Sequence, residues 1–245
     1  MEKESLIDLL NKIHDGNHSI LELHEKFKRI ATLLFNIYYL EIDDKSIEFT
    51  EVEFYYFNDA DHPDPFVHLN ILQKNTINEL YVHKQPWGRG GIDITFGNEK
   101  YYGGILIRGI KENHNFYAGP SIVKQHISKI SNNIDEDYKS LQKHLENQYS
   151  LKIYDKKIEN KTYFSTRVGL NINKDEVYSK ALYRFVREDY LFALKDYKFI
   201  SYGNLKDRSK LKAIYDLAGY DRSNENATKL KLEEDLLLMQ YIKRK

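Results

Sequence analysis

The side chains best suited to chemistry lie in the first half of the chain. Glu53 stands in the run 51–57, whose aromatic and β-branched residues predict a β-strand. Tyr55, His68 and His83 follow, and together with Glu53 they could form an aromatic slot beside a carboxylate. A carboxylate in such a pocket can activate water for attack at a glycosidic carbon, and stacked rings can hold a flat base outside a duplex.

Two further charged residues, Asp93 and Arg108, each interrupt a strand-like run of isoleucine and other apolar residues. A charged group is costly to bury without a partner, so these residues and Glu53 together indicate a site. Taken singly, each has a simpler interpretation. Glu53 could be an ion-paired strand residue, and His68 a core histidine whose hydrogen bonds are satisfied.

Two other kinds of site remain open. Carboxylates and imidazole are suitable metal ligands, and the candidates are Asp59, Asp61, His62 and Asp64. Prolines interrupt their spacing, and such Asx-Pro runs commonly form turns, so we expect no metal there. Residues 88–91, Gly-Arg-Gly-Gly, could cradle an anion with backbone N–H groups, or could be a tight turn.

The apolar periodicity predicts elements along the whole chain. Two helices begin after the N-cap candidates Ser5 and Ser19, and a third has Ser121 near its start. Strands are predicted at residues 35–40, 51–57, 80–83, 92–96, 105–110, 166–170 and 182–186. Residues 230–242 predict a terminal helix.

Composition limits the class of protein. The chain has 245 residues, 37 Lys plus Arg, 37 Asp plus Glu, and no cysteine, which excludes disulfides and thiolate metal sites. No apolar run reaches membrane-spanning length and no secretory signal is recognisable, so we expect a cytoplasmic protein without a membrane partner. The basic cluster of Arg167, Lys180, Arg184 and Arg187 is interpreted as a solvated helix face rather than as a binding patch.

The order of the segments resembles the alkyladenine (3-methyladenine) DNA glycosylase family. That family has V-E-T-E-A-Y, an acid-x-A-x-H segment, G-T-L-Y-V-Y, M-N-I, V-L-L-R-A, G-P-G-x-L, R-I-G-V and W-R-F-Y. The corresponding segments here are residues 50–55, 64–68, 79–83, 92–94, 105–108, 119–127, 167–170 and 183–186. The resemblance covers about residues 25–195.

The resemblance implies a role for each matching residue. Glu53 corresponds to the glutamate that activates water, while Tyr55, His68 and His83 fall where the family stacks rings around a flipped base. Trp87 lies where an inserted side chain fills the gap in the duplex, and Arg108 matches a strand arginine near the bound nucleotide; we also expect Arg89 to contact DNA. The family uses no metal and no diffusible cofactor.

The chain departs from the family in its pocket. His83 replaces a tyrosine, and Asp93 replaces an asparagine that screens purines by their exocyclic groups. An ionised carboxylate accepts hydrogen bonds but cannot donate them, so Asp93 suits an exocyclic amine such as adenine N6 or cytosine N4.

We therefore expect a single α+β domain, residues 1–245, with a curved antiparallel β-sheet, peripheral helices and a C-terminal helical extension at about 205–245. The expected activity is that of a monomeric, monofunctional DNA glycosylase acting on a modified base in double-stranded DNA. It would serve base excision repair or, on modified cytosines of phage DNA, antiviral defence. The alternative is a non-catalytic binder of modified or damaged DNA.

Overall fold

The computed structural model describes residues 5–16, 19–83, 90–131, 138–155 and 159–190. The helices are α1 (Leu6–Lys12), α2 (Ile20–Asn36), α3 (Ile71–Asn75), α4 (Pro120–Ile130), α5 (Tyr138–Gln148) and α6 (Glu176–Ser179). The strands are β1 (Tyr38–Ile42), β2 (Lys45–Phe57), β3 (Ile77–Val82), β4 (Ile92–Phe96), β5 (Tyr102–Glu112), β6 (Asn115–Ala118), β7 (Tyr149–Ile153), β8 (Thr162–Ser165) and β9 (Arg184–Arg187). Among these helices, none is long and apolar enough to cross a membrane.

In the described part of the chain, the strands form one curled antiparallel sheet with nine members, which confirms the α+β class with an antiparallel sheet. Its main path runs β3-β4-β5-β2-β1-β7, with β2 and β5 as the long central pair. One edge of β2 pairs with β1 in its first part and with β9 in its second part. β1 and β9 therefore share one edge of β2. The part of β2 that pairs with β9 also pairs with β5, and so has a neighbouring strand on each edge.

The hydrophobic core lies between α2 and one face of this sheet. Val52 and Phe54 are fully buried in this core. They lie on the same face of β2 because alternate residues of a strand face the same side. The ring of Phe27 on α2 stacks on Phe54 with the ring centroids 4.4 Å apart. This packing fixes the orientation of β2, and so presents Glu51, Glu53 and Tyr55 on its opposite face.

Most of the predicted elements are present. Ser5 and Ser19 cap α1 and α2 by accepting hydrogen bonds from the backbone N–H groups of Asp8 and Glu22. The prediction for residues 92–96 coincides with β4.

Of the predicted strands, the one at 35–40 was partly wrong and the one at 166–170 was wholly wrong. Residues 35–36 belong to α2, because Phe35 extends the buried stripe that contains Ala31 one turn earlier; the strand begins at Tyr38. Residues 166–170 form a turn in which Gly169 has a φ of +78°, a conformation that favours glycine. The predicted terminal helix and the C-terminal extension lie outside the described residues.

Candidate functional site

A row of residues crosses five strands on the sheet face opposite the core. Glu53 is paired in register with Leu106 on β5 and Arg184 on β9, and Leu106 is paired with Asp93 on β4. Asp93 in turn is opposite Tyr81 on β3. Because directly opposed residues of antiparallel strands project to the same face, the two predicted site carboxylates lie on one surface.

Glu53 is fully buried and held by specific contacts. Its Oε1 accepts a hydrogen bond of 2.7 Å from the backbone N–H of Val168, and its Oε2 accepts one of 2.9 Å from the Tyr55 hydroxyl. The Nε of Arg108 is 3.4 Å from Oε1. The carboxylate is thus oriented from two sides and accompanied by a positive charge.

A second carboxylate, Glu51, lies beside it. Its Oε1 accepts hydrogen bonds from Nε of Arg108 (2.9 Å) and Nε of Arg184 (2.7 Å), and its Oε2 accepts one from the Tyr190 hydroxyl (2.9 Å). Burial opposes ionisation of Glu51, but Arg184 and Arg108 outweigh it and hold its pKa below the usual value.

The position of Arg108 follows from an irregularity between the two central strands. The register passes from Ile107 opposite Val52 to Gly109 opposite Glu51, so Arg108 falls at a bulge. Bulges change the direction of side chains, and here Arg108 is directed at the two glutamates and is only 8% exposed. Its predicted contact with DNA stays a prediction.

A pocket of about 540 Å³ lies beside Tyr55 and Asp93. It is lined by Tyr55, Pro65, Phe66, Val67, His68, Gln73, His83, Gly90, Gly91, Asp93, Leu106, Pro120, Ser121, Leu170 and Lys174. The structure therefore brings together the four predicted base-binding residues. Glu53 does not itself line the pocket, but it accepts a hydrogen bond from the hydroxyl of Tyr55, which does. Trp87 and Arg89 lie outside the described residues, as does the first half of the possible anion nest, residues 88 and 89.

One wall of the pocket is built from imidazole and phenol rings. The His68 and His83 rings have centroids 4.6 Å apart, and Tyr81 packs on His83 at 4.9 Å. His68 is at the exposed rim, whereas His83 is 7% exposed. Partial desolvation, followed by the proximity of His83, lowers the pKa of His68 and so favours its uncharged form.

Asp93 is fixed at the end of the pocket by two neighbours. Its Oδ2 accepts a hydrogen bond of 2.8 Å from the Gln73 amide, and its Oδ1 is 2.8 Å from Nε2 of His83. The second contact is short, but neither of its two atoms has a hydrogen-bond partner among the described residues. Its alignment is therefore poor for a hydrogen bond. Asp93 is therefore oriented mainly by Gln73, and its Oδ1 is the oxygen left to make a better contact.

Gly104 provides the space for this arrangement. A Cβ at Gly104 would lie 2.6 Å from Oδ2 of Asp93 and 2.7 Å from Nε2 of Gln73. Sequence reasoning missed Gln73, because a glutamine in a short helix carries no signal of its own. The adjacent glycines at 103 and 104, directly before the strand predicted at 105–110, were the available sign of a close approach.

Arg167 supports the other wall. Its guanidinium lies 4.7 Å from the ring centroid of Tyr55, donates hydrogen bonds to the carbonyls of Phe54 (3.2 Å) and Tyr178 (2.9 Å), and lies 2.7 Å from Oδ2 of Asp64. Both charged side chains are fully buried. Tyr55 is thus held between a cation on its ring and a carboxylate on its hydroxyl.

The interpretation of the basic cluster as a solvated helix face was wrong. Arg167, Arg184 and Arg187 are 4%, 3% and 1% exposed, and each is paired with a carboxylate. Only Lys180 lies on a short helix end and pairs with Glu176 at the surface. Arg167 and Arg184 pair with carboxylates on distant segments, which spacing along the chain does not reveal, whereas Arg187 also pairs with Asp189, two residues further on.

The residues of the possible metal site have other roles. Asp64 is paired with Arg167, and the His62 ring packs edge-on against Tyr178 with centroids 4.7 Å apart. Asp59 and Asp61 are exposed in the turn. Across the described ranges, no group of three or more His, Cys, Asp or Glu could hold a metal ion.

Comparison of the chain with protein-family models and with curated proteins found no match. The glycosylase resemblance therefore rests on the order of the motifs, and its implications are proposals.

Proposed function

We propose that this chain is a monofunctional DNA glycosylase that takes a modified base out of duplex DNA and hydrolyses its N-glycosidic bond. The observation that carries the proposal is the link between pocket and carboxylate. Tyr55 lines a cavity of about 540 Å³ with its ring and donates a 2.9 Å hydrogen bond to the buried Glu53 with its hydroxyl. A base stacked against Tyr55 would bring its glycosidic carbon to this side of the pocket.

In the proposed reaction, the oxygen of a water molecule bonds to C1′ of the flipped nucleotide and the C1′–N bond breaks. The base leaves with the electron pair of that bond, and Glu53 accepts the proton of the attacking water. Each oxygen of Glu53 already accepts one hydrogen bond, and a carboxylate has about four acceptor positions. The carboxylate therefore retains the capacity to bind and deprotonate a water.

The end of the pocket supports a base with an exocyclic amino group. Asp93 is held by Gln73 and keeps Oδ1 directed toward the imidazole of His83. An amine that reaches Oδ1 would supply the well-aligned donor that this buried oxygen lacks. Adenine N6 and cytosine N4 are such amines, so the candidate substrates are altered adenines and modified cytosines such as those of phage DNA.

One observation favours a second candidate function, a non-catalytic binder of modified or damaged DNA. Glu53 has no exposed surface, so a water must enter from the pocket before it can react. A protein that had retained the base pocket and lost hydrolysis would still flip and bind the base.

A panel of duplexes, each with one modified base, tests the proposal. The purified protein is incubated with every duplex, and abasic sites are scored by strand cleavage in alkali. Release of at least one base that carries an exocyclic amine supports a glycosylase. Tight binding to a modified duplex without abasic sites supports the binder, and neither binding nor release on any duplex contradicts both.

A further inference from the structure

Two carboxylates and two guanidinium groups share one buried space behind the pocket. This charge cluster consists of Glu51, Glu53, Arg108 and Arg184, and its formal charges cancel. Within it, Nε of Arg108 lies 2.9 Å from Oε1 of Glu51 and 3.4 Å from Oε1 of Glu53. Arg108 is thus shared unequally, with Glu51 as its nearer partner.

Arg184 shows the same preference. It is opposite Glu53 in the strand register, yet its Nε and Nη2 both lie 2.7 Å from Oε1 of Glu51. The Tyr190 hydroxyl holds the other oxygen of Glu51 at 2.9 Å. Glu51 is therefore the anion that engages both arginines, and Glu53 keeps only the longer contact.

We infer that Glu51 is a positioning residue for the hydrolysis, which holds Arg184 and shares Arg108 with Glu53, and so limits the positive charge that acts on Glu53. The inference rests on the proposed function. Glu51 does not line the pocket and would not touch the substrate. Its effect would pass through the two arginines and through its own charge beside Glu53.

The physical basis is competition for positive charge. Without the Glu51 charge, Glu53 is the remaining carboxylate within reach of Arg108, and the cluster carries an excess positive charge. An opposite charge within 4–6 Å shifts the titration of a carboxyl toward lower pH by about 1–3 units and makes the carboxylate a weaker base. The other groups near Glu53 are the Tyr55 hydroxyl and Arg167.

The experiment compares two charge variants with opposite expected signs. In Glu51→Gln, the acid limb of the pH–rate profile for base release moves about one unit to lower pH, and the plateau rate falls. In Arg184→Gln, the cluster gains net negative charge, so the acid limb moves to higher pH. A merely structural role for the cluster would lower stability in both variants without shifting the limb in opposite directions.

Glu48→Gln is the matched control. Glu48 is on the same strand and lies 2.8 Å from Nη1 of the buried Arg187, but it is outside the charge cluster. It should lose stability without moving the pH–rate profile. If Glu51→Gln does not fold, the shift of Arg184→Gln relative to this control still decides the inference.

The outcomes separate the inference from the proposed function. A wild-type protein that releases no base from any duplex contradicts both. An active wild type whose acid limb is unchanged in Glu51→Gln and Arg184→Gln, or shifted the same way in both, overturns the role of Glu51 alone. Opposite shifts with an unchanged Glu48→Gln profile support it.

Discussion

The Tyr55 hydroxyl donates a 2.9 Å hydrogen bond to Oε2 of Glu53, so the ring that lines the pocket and the carboxylate behind it are one unit. Both stand on β2, two residues apart, and therefore on the same face of the sheet. Desolvation, followed by the negative charge of Glu53, raises the pKa of Tyr55, which keeps its hydroxyl a proton donor. In the proposed function, the same contact orients a stacking surface and a base for water activation.

Asp93→Asn tests which base the pocket accepts. The ionised carboxylate favours an amine, whereas an asparagine supplies both a donor and an acceptor. The variant should lose activity on the best substrate of the wild type and gain relative activity on bases that present a carbonyl, because a mismatched polar contact in a buried site strongly discriminates. The measurement is the rank order of release across the modified-base panel. An unchanged rank order would contradict a specificity role for Asp93.

Gly104→Ala tests whether the contact between Asp93 and Gln73 sets that specificity. The added methyl group would lie 2.6 Å from Asp93 Oδ2 and must displace the pair. We expect reduced discrimination between bases together with lower stability. Gly103→Ala is the control, since its Cβ would meet the core ring of Phe96 at 2.2 Å on the other face. Equal effects of the two variants on discrimination would refute the role of the pair.

Arg167→Met tests the support behind Tyr55. Removing one member of a buried ion pair costs about 3–5 kcal/mol of unfolding free energy, because Asp64 would keep an uncompensated charge. Loss of the cation on the Tyr55 ring should also weaken binding of a flipped base. Arg187→Met removes another buried arginine, which pairs with the partly exposed Glu48 and Asp189 rather than with a group at Tyr55, and should affect stability only. Denaturant unfolding measures the loss of stability, and binding to modified duplex measures the loss of base affinity. Equal affinity for the duplex in the two variants would contradict the role of Arg167 in supporting Tyr55.

Much of this arrangement was predictable from local sequence. The aromatic and β-branched residues of the run 51–57 predicted the strand, Ser5 and Ser19 predicted the helix starts, and the run 92–96 predicted β4. These signals are local, because they depend on side-chain periodicity and on capping by near neighbours. The residues alone suggested an aromatic slot of Tyr55, His68 and His83 beside Glu53, and the family resemblance gave Asp93 its place in the same pocket.

The partners of the buried charges could not be predicted. Arg167 lies in a turn and reaches Asp64 more than a hundred residues earlier, and Arg184 reaches Glu51 across a strand pairing. Such pairs form only when the chain folds. In the sequence these basic residues have no visible partners, and they were therefore interpreted as a solvated helix face. The bulge that directs Arg108 likewise depends on the register between β2 and β5, which the two strand sequences do not fix by themselves.

Trp87→Ala tests the predicted wedge, which lies outside the described residues. If the indole fills the gap left by the flipped base, the variant should lose about 1–3 kcal/mol of binding to modified duplex and less to modified single strand, because only the duplex has a stack to hold open. The ratio of the two affinities is the measurement. A Trp packed in the core would instead lower the melting temperature and leave that ratio unchanged.

Glu53→Gln gives the most direct test of the central claim, that Glu53 activates water for base release. The substitution keeps the shape of the side chain and removes its basicity. Single-turnover base release should fall by about 10²–10⁴-fold while binding to the same modified duplex is retained. Glu41→Gln on β1 is the control, and should release base at the wild-type rate. Release at the wild-type rate by Glu53→Gln would contradict the account.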